Sequence, residues 1–459
     1  MLQCLSAVAE NQPTNKNRMT TVLSNFATRL RETILSEGQV PRGPDLKGQN
    51  GGSCNSPLRD FNRLALELFP LQFQHNAAYR KICEARLPRR SVAKAGDLTP
   101  RVVEHWTQIP AVPTSAFKEL DLTCLAPVER TAVFHSSGTT EQKPSRHFHN
   151  AESLALYEAS LWVWFRHHLL SDKLKLELQP SAAPVGVQAS ACDCGDEDFR
   201  LIILTPPPAQ APHSSLVHMF ETVRRKLGGA SVPASRAFLG GIAADGSWTL
   251  NFDAALAALN SSLVTRHPSL FLGTAFSFVH LLDFLAERNL RFDLPAGSRV
   301  METGGYKGRS HALPKTELHQ LITERLGVPP SHIICEYGMS ELSSQAYDLG
   351  ALASRRRVFP GATKELAGET PALPGTVTCH FRFPPWARAQ IISPETGNEV
   401  ADGETGLIRV FDLANVFSVM AIQTEDLGIR RGDGFELIGR AALAESRGCS
   451  LLAAETHKS

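Results

Sequence analysis

The sequence predicts an α/β protein with substantial parallel sheet and a small β-rich subdomain towards its C-terminus. Three observations carry this expectation. Short β-like runs, Thr131–Phe134, Leu201–Leu204 and His332–Cys335, are each followed by a loop and then a helical pattern, as parallel sheet requires. Gly397, Gly403, Gly406 and Gly428 punctuate short apolar runs such as Leu407–Phe411, which reads as a set of hairpins. A length of 459 residues, 42% of them hydrophobic, leaves room for one large or two ordinary domains.

Taken in order, Leu23, Phe26, Leu30 and Ile34 recur at helix spacing, with Thr20 or Thr21 as a cap. Gly38–Pro44 and Gly48–Ser53 have a composition that packs no core and read as linker. The expected organisation is therefore an N-terminal helix and flexible linker over 1–56, a core over 57–440 and a short tail over 441–459. Phe61, Leu64, Leu68 and Phe73 predict a helix interrupted by Pro70. Gln179–Ala191, rich in Pro, Ala and Ser, reads as a surface excursion. Phe276, Phe278, Leu281, Leu282, Phe284 and Leu285 form an apolar helical pattern, either core or, together with Phe271, the lining of an aliphatic pocket. No internal repeat or heptad array is present.

A formal net charge of +1 supplies no global field for nucleic acid or a membrane surface. The local run Arg355-Arg356-Arg357 reads as a solvated loop. The nine cysteines are scattered and odd in number, which predicts free thiols in a reducing compartment. Cys192 and Cys194 have no second pair at zinc-site spacing. No apolar run reaches the roughly 18 residues that cross a bilayer, and Met1–Gln12 lacks the pattern of a secretory leader. A cytoplasmic location is expected.

Three stretches carry chemistry. Phe134-His135-Ser136-Ser137-Gly138-Thr139-Thr140-Glu141-Gln142-Lys143-Pro144-Ser145-Arg146-His147 follows a β-like run. Small hydroxylated residues around a glycine turn N–H groups and hydroxyls towards phosphate oxygens, and Lys143 and Arg146 add positive charge. The spacing is not that of a P-loop NTPase; alone, the stretch also reads as a Ser/Thr-rich turn. Glu336-Tyr337-Gly338-Met339-Ser340-Glu341 offers a ring for stacking, a glycine for close approach, a hydroxyl for phosphate and a carboxylate for Mg²⁺. It is equally compatible with a turn bearing a surface Glu. Thr424-Glu425-Asp426-Leu427-Gly428, with Asp433–Arg440 behind it, offers Asp426 as acceptor for two ribose hydroxyls or as a plain loop acid. Asp433-Gly434 also reads as a hairpin turn. His135, His147 and His149 lack a matching third ligand, so a histidine metal site is not expected. The Gly-x-Ser-x-Gly elbow of hydrolases is absent.

In this order the three stretches resemble the adenylate-forming superfamily of acyl-CoA synthetases, luciferases and nonribosomal adenylation domains. That resemblance implies a phosphate-binding loop over Ser136, Ser137, Gly138, Thr139, Thr140 and Lys143, and a Gly-rich element at Gly304 and Gly305. It implies that Tyr337, beside Gly338, stacks on adenine, Ser340 contacts the α-phosphate and Glu341 holds Mg²⁺. Asp426 would bind the ribose and Arg440 would sit at the hinge near it. Two departures stand out: Glu141 occupies a position where the family usually has glycine, and the chain ends soon after Arg440. The expected fold is thus a large adenylate-forming N-terminal-type core lacking the usual C-terminal lid domain.

The bacterial acyl-protein synthetases (LuxE-type) are similarly short. Leu66–Phe69 through Asn76–Arg80, Ile109–Thr114 and Gly304–Arg309 resemble them, and Arg447-Gly448-Cys449-Ser450 resembles their segment with the acyl-accepting cysteine. This second resemblance implies that Mg·ATP activates a carboxylic acid, fatty in that family. Lys143 and Arg146 would stabilise developing charge, and Lys307 or Arg309 would replace part of the lid lysine. Cys449, its thiol activated by Arg447, would take the acyl group and pass it to a partner such as an acyl reductase. The alternatives are an acyl- or aryl-CoA ligase with an external thiol acceptor, and an inactive acyl-nucleotide binding scaffold.

Overall fold

The computed structural model describes residues 15–37, 60–86, 103–136, 143–170, 199–228, 237–304, 313–348 and 380–441. Helix α1 (Asn15–Glu37) buries Leu23, Phe26, Leu30 and Ile34 as one stripe. It begins at Asn15, so Thr20 and Thr21 lie inside it and not at its cap. Helix α2 (Phe61–His75) starts on Asp60, whose carboxylate accepts from the Arg63 N–H at 3.0 Å. Pro70 lies within α2 without ending it, contrary to the expected interruption. The proline is exposed, so the helical bond it removes falls on the solvent side. Asn76 then accepts from the Tyr79 N–H at 3.0 Å and opens α3 (Ala77–Arg86).

The next elements are β1 (Val112–Pro113), α4 (Ala116–Glu119), β2 (Ala132–His135), β3 (Arg146–His149), α5 (Ala151–Phe165), β4 (Arg200–Ile203) and α6 (Ser215–Gly228). They continue as β5 (Gly240–Ile242), β6 (Trp248–Leu250), α7 (Phe252–Thr265), β7 (Ser269–Thr274), α8 (Ala275–Glu287), β8 (Arg299–Thr303), α9 (Lys315–Leu326) and β9 (Ile333–Tyr337). Last come β10 (Ala346–Asp348), β11 (His380–Arg382), β12 (Ala387–Ile392), β13 (Thr405–Asp412), β14 (Ala421–Arg431) and β15 (Gly434–Arg440).

One large sheet runs β12-β13-β14-β15-β11-β10-β9-β8-β7-β4, with β1 parallel to β14. Its β4-β7-β8-β9 part is parallel, as expected of Leu201–Leu204 and His332–Cys335; the Thr131–Phe134 run instead forms β2, which pairs antiparallel with β3 in a separate two-stranded sheet. Every residue of β7, β8 and β9 is buried, because both faces are covered. On one face α7, α8 and α9 pack on Phe271, Val300 and Ile333; Phe278 and Leu281 belong to this core, each fully buried side chain contributing about 1.5–3 kcal/mol. On the other, α5 and α6 pack on Leu272, Met301, Ile334 and Tyr347.

The expected β-rich hairpins are present as β12 to β15. β11 bridges β10 to β15 and makes them one sheet with the parallel block. The tight turn falls one residue earlier than expected: Arg431 faces Gly434, and Gly432, at φ 59°, makes the two-residue loop with Asp433. Buried Gln72 ties α2 to the β13–β14 connection, donating to the Asn415 carbonyl at 2.7 Å and accepting from the Met420 N–H at 3.0 Å. The same connection holds one of the site residues.

Candidate active site

The predicted residues with described positions fall into two groups around the C-terminal end of β9. In the first, Tyr337 closes β9 and its hydroxyl donates to Asp426 Oδ2 at 2.9 Å. Asp426 and Arg440 are register partners across β14 and β15, and Arg440 Nε lies 3.3 Å from Asp426 Oδ1. The tyrosine ring packs edge-on against Phe435 at 5.3 Å, Phe381 at 6.1 Å and Phe383 at 6.2 Å. Burial, and then the Asp426 charge, push the phenol well above its ordinary pKa, so it remains a donor.

The second group centres on Glu341, which is 2% exposed. Its Oε1 accepts from the Ser145 hydroxyl at 2.7 Å and its Oε2 from the Ser340 hydroxyl at 3.0 Å. Its backbone carbonyl accepts from Asn415 Nδ2 at 2.9 Å. Ser136 Oγ accepts from the Ser145 N–H at 2.9 Å, tying the two residues that flank 137–142 in the described structure. His147 Nδ1 lies 2.9 Å from the Ser340 carbonyl. Burial lowers the His147 pKa to about 4, so the ring is neutral and Nδ1 carries the donated hydrogen.

Lys143 is paired with Glu119 at 3.2 Å, and Arg146 with Asp121 at 2.9 Å, an acid shared with Arg130 at 2.7 Å. Such partly exposed pairs are worth about 0–1 kcal/mol, so a polyphosphate can displace them. Gly304 follows β8 at φ 76°, a conformation suited to glycine. At Gly338 an added Cβ would overlap Glu336 Oε1. Burial raises the Glu336 carboxyl to about 7 against the pull of the Thr303 hydroxyl bonded to it.

Ser136, Lys143, Arg146, Gly304, Tyr337, Gly338, Ser340, Glu341, Asp426 and Arg440 thus have described positions. Ser137, Gly138, Thr139, Thr140, Glu141, Gly305, Lys307, Arg309, Arg447 and Cys449 lie outside the described residues, as do Cys192, Cys194 and Arg355–Arg357. The His147 and His149 rings lie 4.2 Å apart, tilted at 46°, in the interior, and among the described residues no group of three or more His, Cys, Asp or Glu could hold a metal. Ser145 and Asn415 were not singled out from sequence, although both brace Glu341. Ser145 sits inside the loop stretch, whereas nothing local marks Asn415. Glu336 had one available signal: a charge at the end of the apolar run Ile333-Ile334-Cys335.

No protein-family model matches the sequence. The long-chain-fatty-acid–luciferin-component ligase of Vibrio harveyi is 22% identical over 399 residues, which cover 85% of this chain and 86% of that one. Among solved structures, ATP-bound MatB from Rhodopseudomonas palustris aligns over 69% of this chain at 16% identity and a TM-score of 0.39. The present chain spans about half of it, 49% of its length. An open 2-hydroxyisobutyryl-CoA ligase in complex with 2-HIB-AMP and CoA aligns over 87% of this chain and 81% of its own, with 13% identity and a TM-score of 0.49. The resemblance to LuxE-type acyl-protein synthetases, first carried by the motifs, holds over most of the chain.

Proposed function

We propose that this chain activates a carboxylic acid with ATP, as an adenylate-forming ligase of the acyl-protein synthetase type. The observation that carries the reading is Asp426. It takes the Tyr337 hydroxyl on one oxygen and faces Arg440 with the other, so its acceptor sites, an aromatic ring and a cation stand together. That set suits a ribose and its base. Glu341, held by the Ser145 and Ser340 hydroxyls, supplies the negative charge for a hard cation beside the phosphates.

The surroundings of Glu341 fit Mg²⁺: its neighbours are oxygen donors, and this ion is commonly held by one or two carboxylates plus substrate phosphates and water. Bound there, Mg²⁺ would neutralise charge on the phosphates. Ser136 and the loop after it, with Lys143 and Arg146, would orient the polyphosphate and stabilise the charge that develops. A substrate carboxylate oxygen attacks the α-phosphorus, the bond to pyrophosphate breaks, and acyl-adenylate forms. Lys307 would lend positive charge near the Gly304–Gly305 element. Cys449 would then attack the acyl carbonyl as thiolate, with AMP as leaving group, and pass the thioester to a partner such as an acyl reductase. The acid is fatty in the named relative and is proposed to be so here.

Incubation with Mg·ATP and a panel of labelled acids, followed by mass spectrometry, tests this directly. The expected result is a hydroxylamine-sensitive label on Cys449, lost in Cys449→Ala while acid-dependent pyrophosphate exchange persists. Exchange without label assigns the acyl group to an external thiol, as in acyl- or aryl-CoA ligases. ATP binding without exchange or label overturns the enzymatic reading in favour of a binding scaffold.

A further inference from the structure

Thr303, Glu336, Gln345 and Tyr347 form a buried polar group on the α5 side of the sheet. Thr303 and Glu336 are register partners across β8 and β9, and the threonine hydroxyl donates to Glu336 Oε2. Tyr347 on β10 faces Glu336 in the next register pair. Glu336 Oε1 and Gln345 crowd the same point: a Cβ on Gly338 would overlap the carboxylate oxygen and lie 3.4 Å from Gln345 Cγ. Carboxyl and amide are therefore neighbours beside one glycine. All four residues are at least nine-tenths buried.

Two of the polar atoms, Gln345 Oε1 and Tyr347 OH, have no hydrogen-bond partner among the described residues. The orientation of the amide follows from Tyr157. Its hydroxyl gives its hydrogen to the Ser215 carbonyl at 3.3 Å, so it accepts from Gln345 Nε2 at 3.5 Å. Gln345 Oε1 is left as an acceptor. Buried polar atoms are nearly always paired, and those that are not point to a missing partner. Burial has already driven the Glu336 carboxyl to about 7, a cost that a donor against it would offset.

The surroundings say what kind of molecule brings that donor. Met301 and Ile334 stand two residues before Thr303 and Glu336, in a core shared with Tyr157, Leu161 and Phe165. The polar group borders the apolar core of this face, at the ends of β8 and β9, where α/β sheets bind ligands. Tyr337 and Glu341 leave the same end of β9.

We propose that Glu336, Gln345 and Tyr347 form a subsite that receives a hydroxyl or amino group carried by the acid this enzyme activates. The inference rests on the acid-activating reading above and narrows its substrate class: a fatty acid that bears a hydroxyl or amino group, in place of a plain alkyl one. A site built to bond a donor rejects the analogue lacking it far more strongly than an apolar pocket rejects a missing methylene.

The test is acid-dependent pyrophosphate exchange with butanoate, octanoate and tetradecanoate, each beside its α-hydroxy, β-hydroxy and β-amino counterparts. The expected result is a kcat/KM at least about tenfold higher for a donor-bearing member at the preferred chain length. Tyr347→Phe and Glu336→Gln, both nearly isosteric, should each lower that ratio several-fold, and the second should act most on the amino acid. A merely structural role would move both members of a pair together. Plain acids exchanged as well as their counterparts, or a ratio unmoved in both variants, overturn the subsite and leave acid activation standing. No exchange with any acid overturns the underlying reading and the subsite with it.

Discussion

Ser145 gives its hydroxyl hydrogen to Glu341 at 2.7 Å, joining residues 196 positions apart. The serine's own N–H also reaches Ser136 Oγ at 2.9 Å. Glu341 is the carboxylate proposed for the metal. Bonds to a charged acceptor are worth about 1.5–3 kcal/mol. Ser145→Ala is therefore expected to slow pyrophosphate exchange about tenfold at limiting Mg²⁺ and to recover at saturation. A Mg²⁺ titration of both proteins measures it; a lowered Tm with an unshifted titration would make the bond purely structural.

The Tyr337–Asp426 bond predicts coupling in nucleotide use. Asp426→Asn keeps the shape but weakens the acceptor for ribose and the partner for Arg440, and should raise KM for ATP about tenfold. Tyr337→Phe removes only the hydroxyl and should cost several-fold less. Because the two groups touch, the double variant should lose less than the product of the singles, with a coupling of about 0.5–3 kcal/mol. Strict multiplicativity in ATP kinetics would show that the 2.9 Å contact does not bear on the nucleotide.

Much of the parallel block was legible because its strands are buried on both faces. Ile333–Cys335 reads as a continuous apolar run for that reason, while Leu201–Leu204 belongs to the edge strand β4, whose first half is only partly buried. Tyr337, Glu341 and Asp426 were legible through their order along the chain. Local reading failed where distance in sequence decides the outcome. Joining β12–β15 to the parallel block depends on β11 pairing with both β10 and β15, which no residue of β11 announces. Pro70 carries a helix-breaking signal, yet packing of Leu68, Phe69 and Phe73 on either side of it keeps α2 continuous. Ser145 and Asn415 reach Glu341 only through the fold.

Glu336 makes stability depend on pH in a defined direction. Its folded pKa is raised by burial from 4.5 to about 7. Below about 4.5 the carboxyl is neutral in both states and carries no penalty. As pH rises to 7 the unfolded chain releases its proton first, and folding loses up to about 3 kcal/mol from this group. Glu336→Gln should match wild type near the acid end and be the more stable protein by a few degrees above neutrality. Thermal unfolding of both across pH measures the difference, in which other titrating groups cancel; a difference constant with pH would mean that the carboxyl titrates normally.

Gln72 connects stability to the site through Asn415. Its amide donates to the Asn415 and Val416 carbonyls at 2.7 and 3.2 Å and accepts from the Met420 N–H at 3.0 Å. Asn415 in turn donates to the Glu341 carbonyl at 2.9 Å and to the Val419 carbonyl at 3.1 Å. Gln72→Leu fills similar space but strips the buried connection of these partners, each loss costing about 1–3 kcal/mol. Denaturant unfolding should report a loss of about 3 kcal/mol or more. Because the slack lies one hydrogen bond from Glu341, the Mg²⁺ requirement for exchange should rise in the folded variant, as in Ser145→Ala. Two changes reaching one carboxylate through different partners would then produce the same metal phenotype. A destabilised variant whose Mg²⁺ titration matches wild type would confine Gln72 to holding the β13–β14 connection.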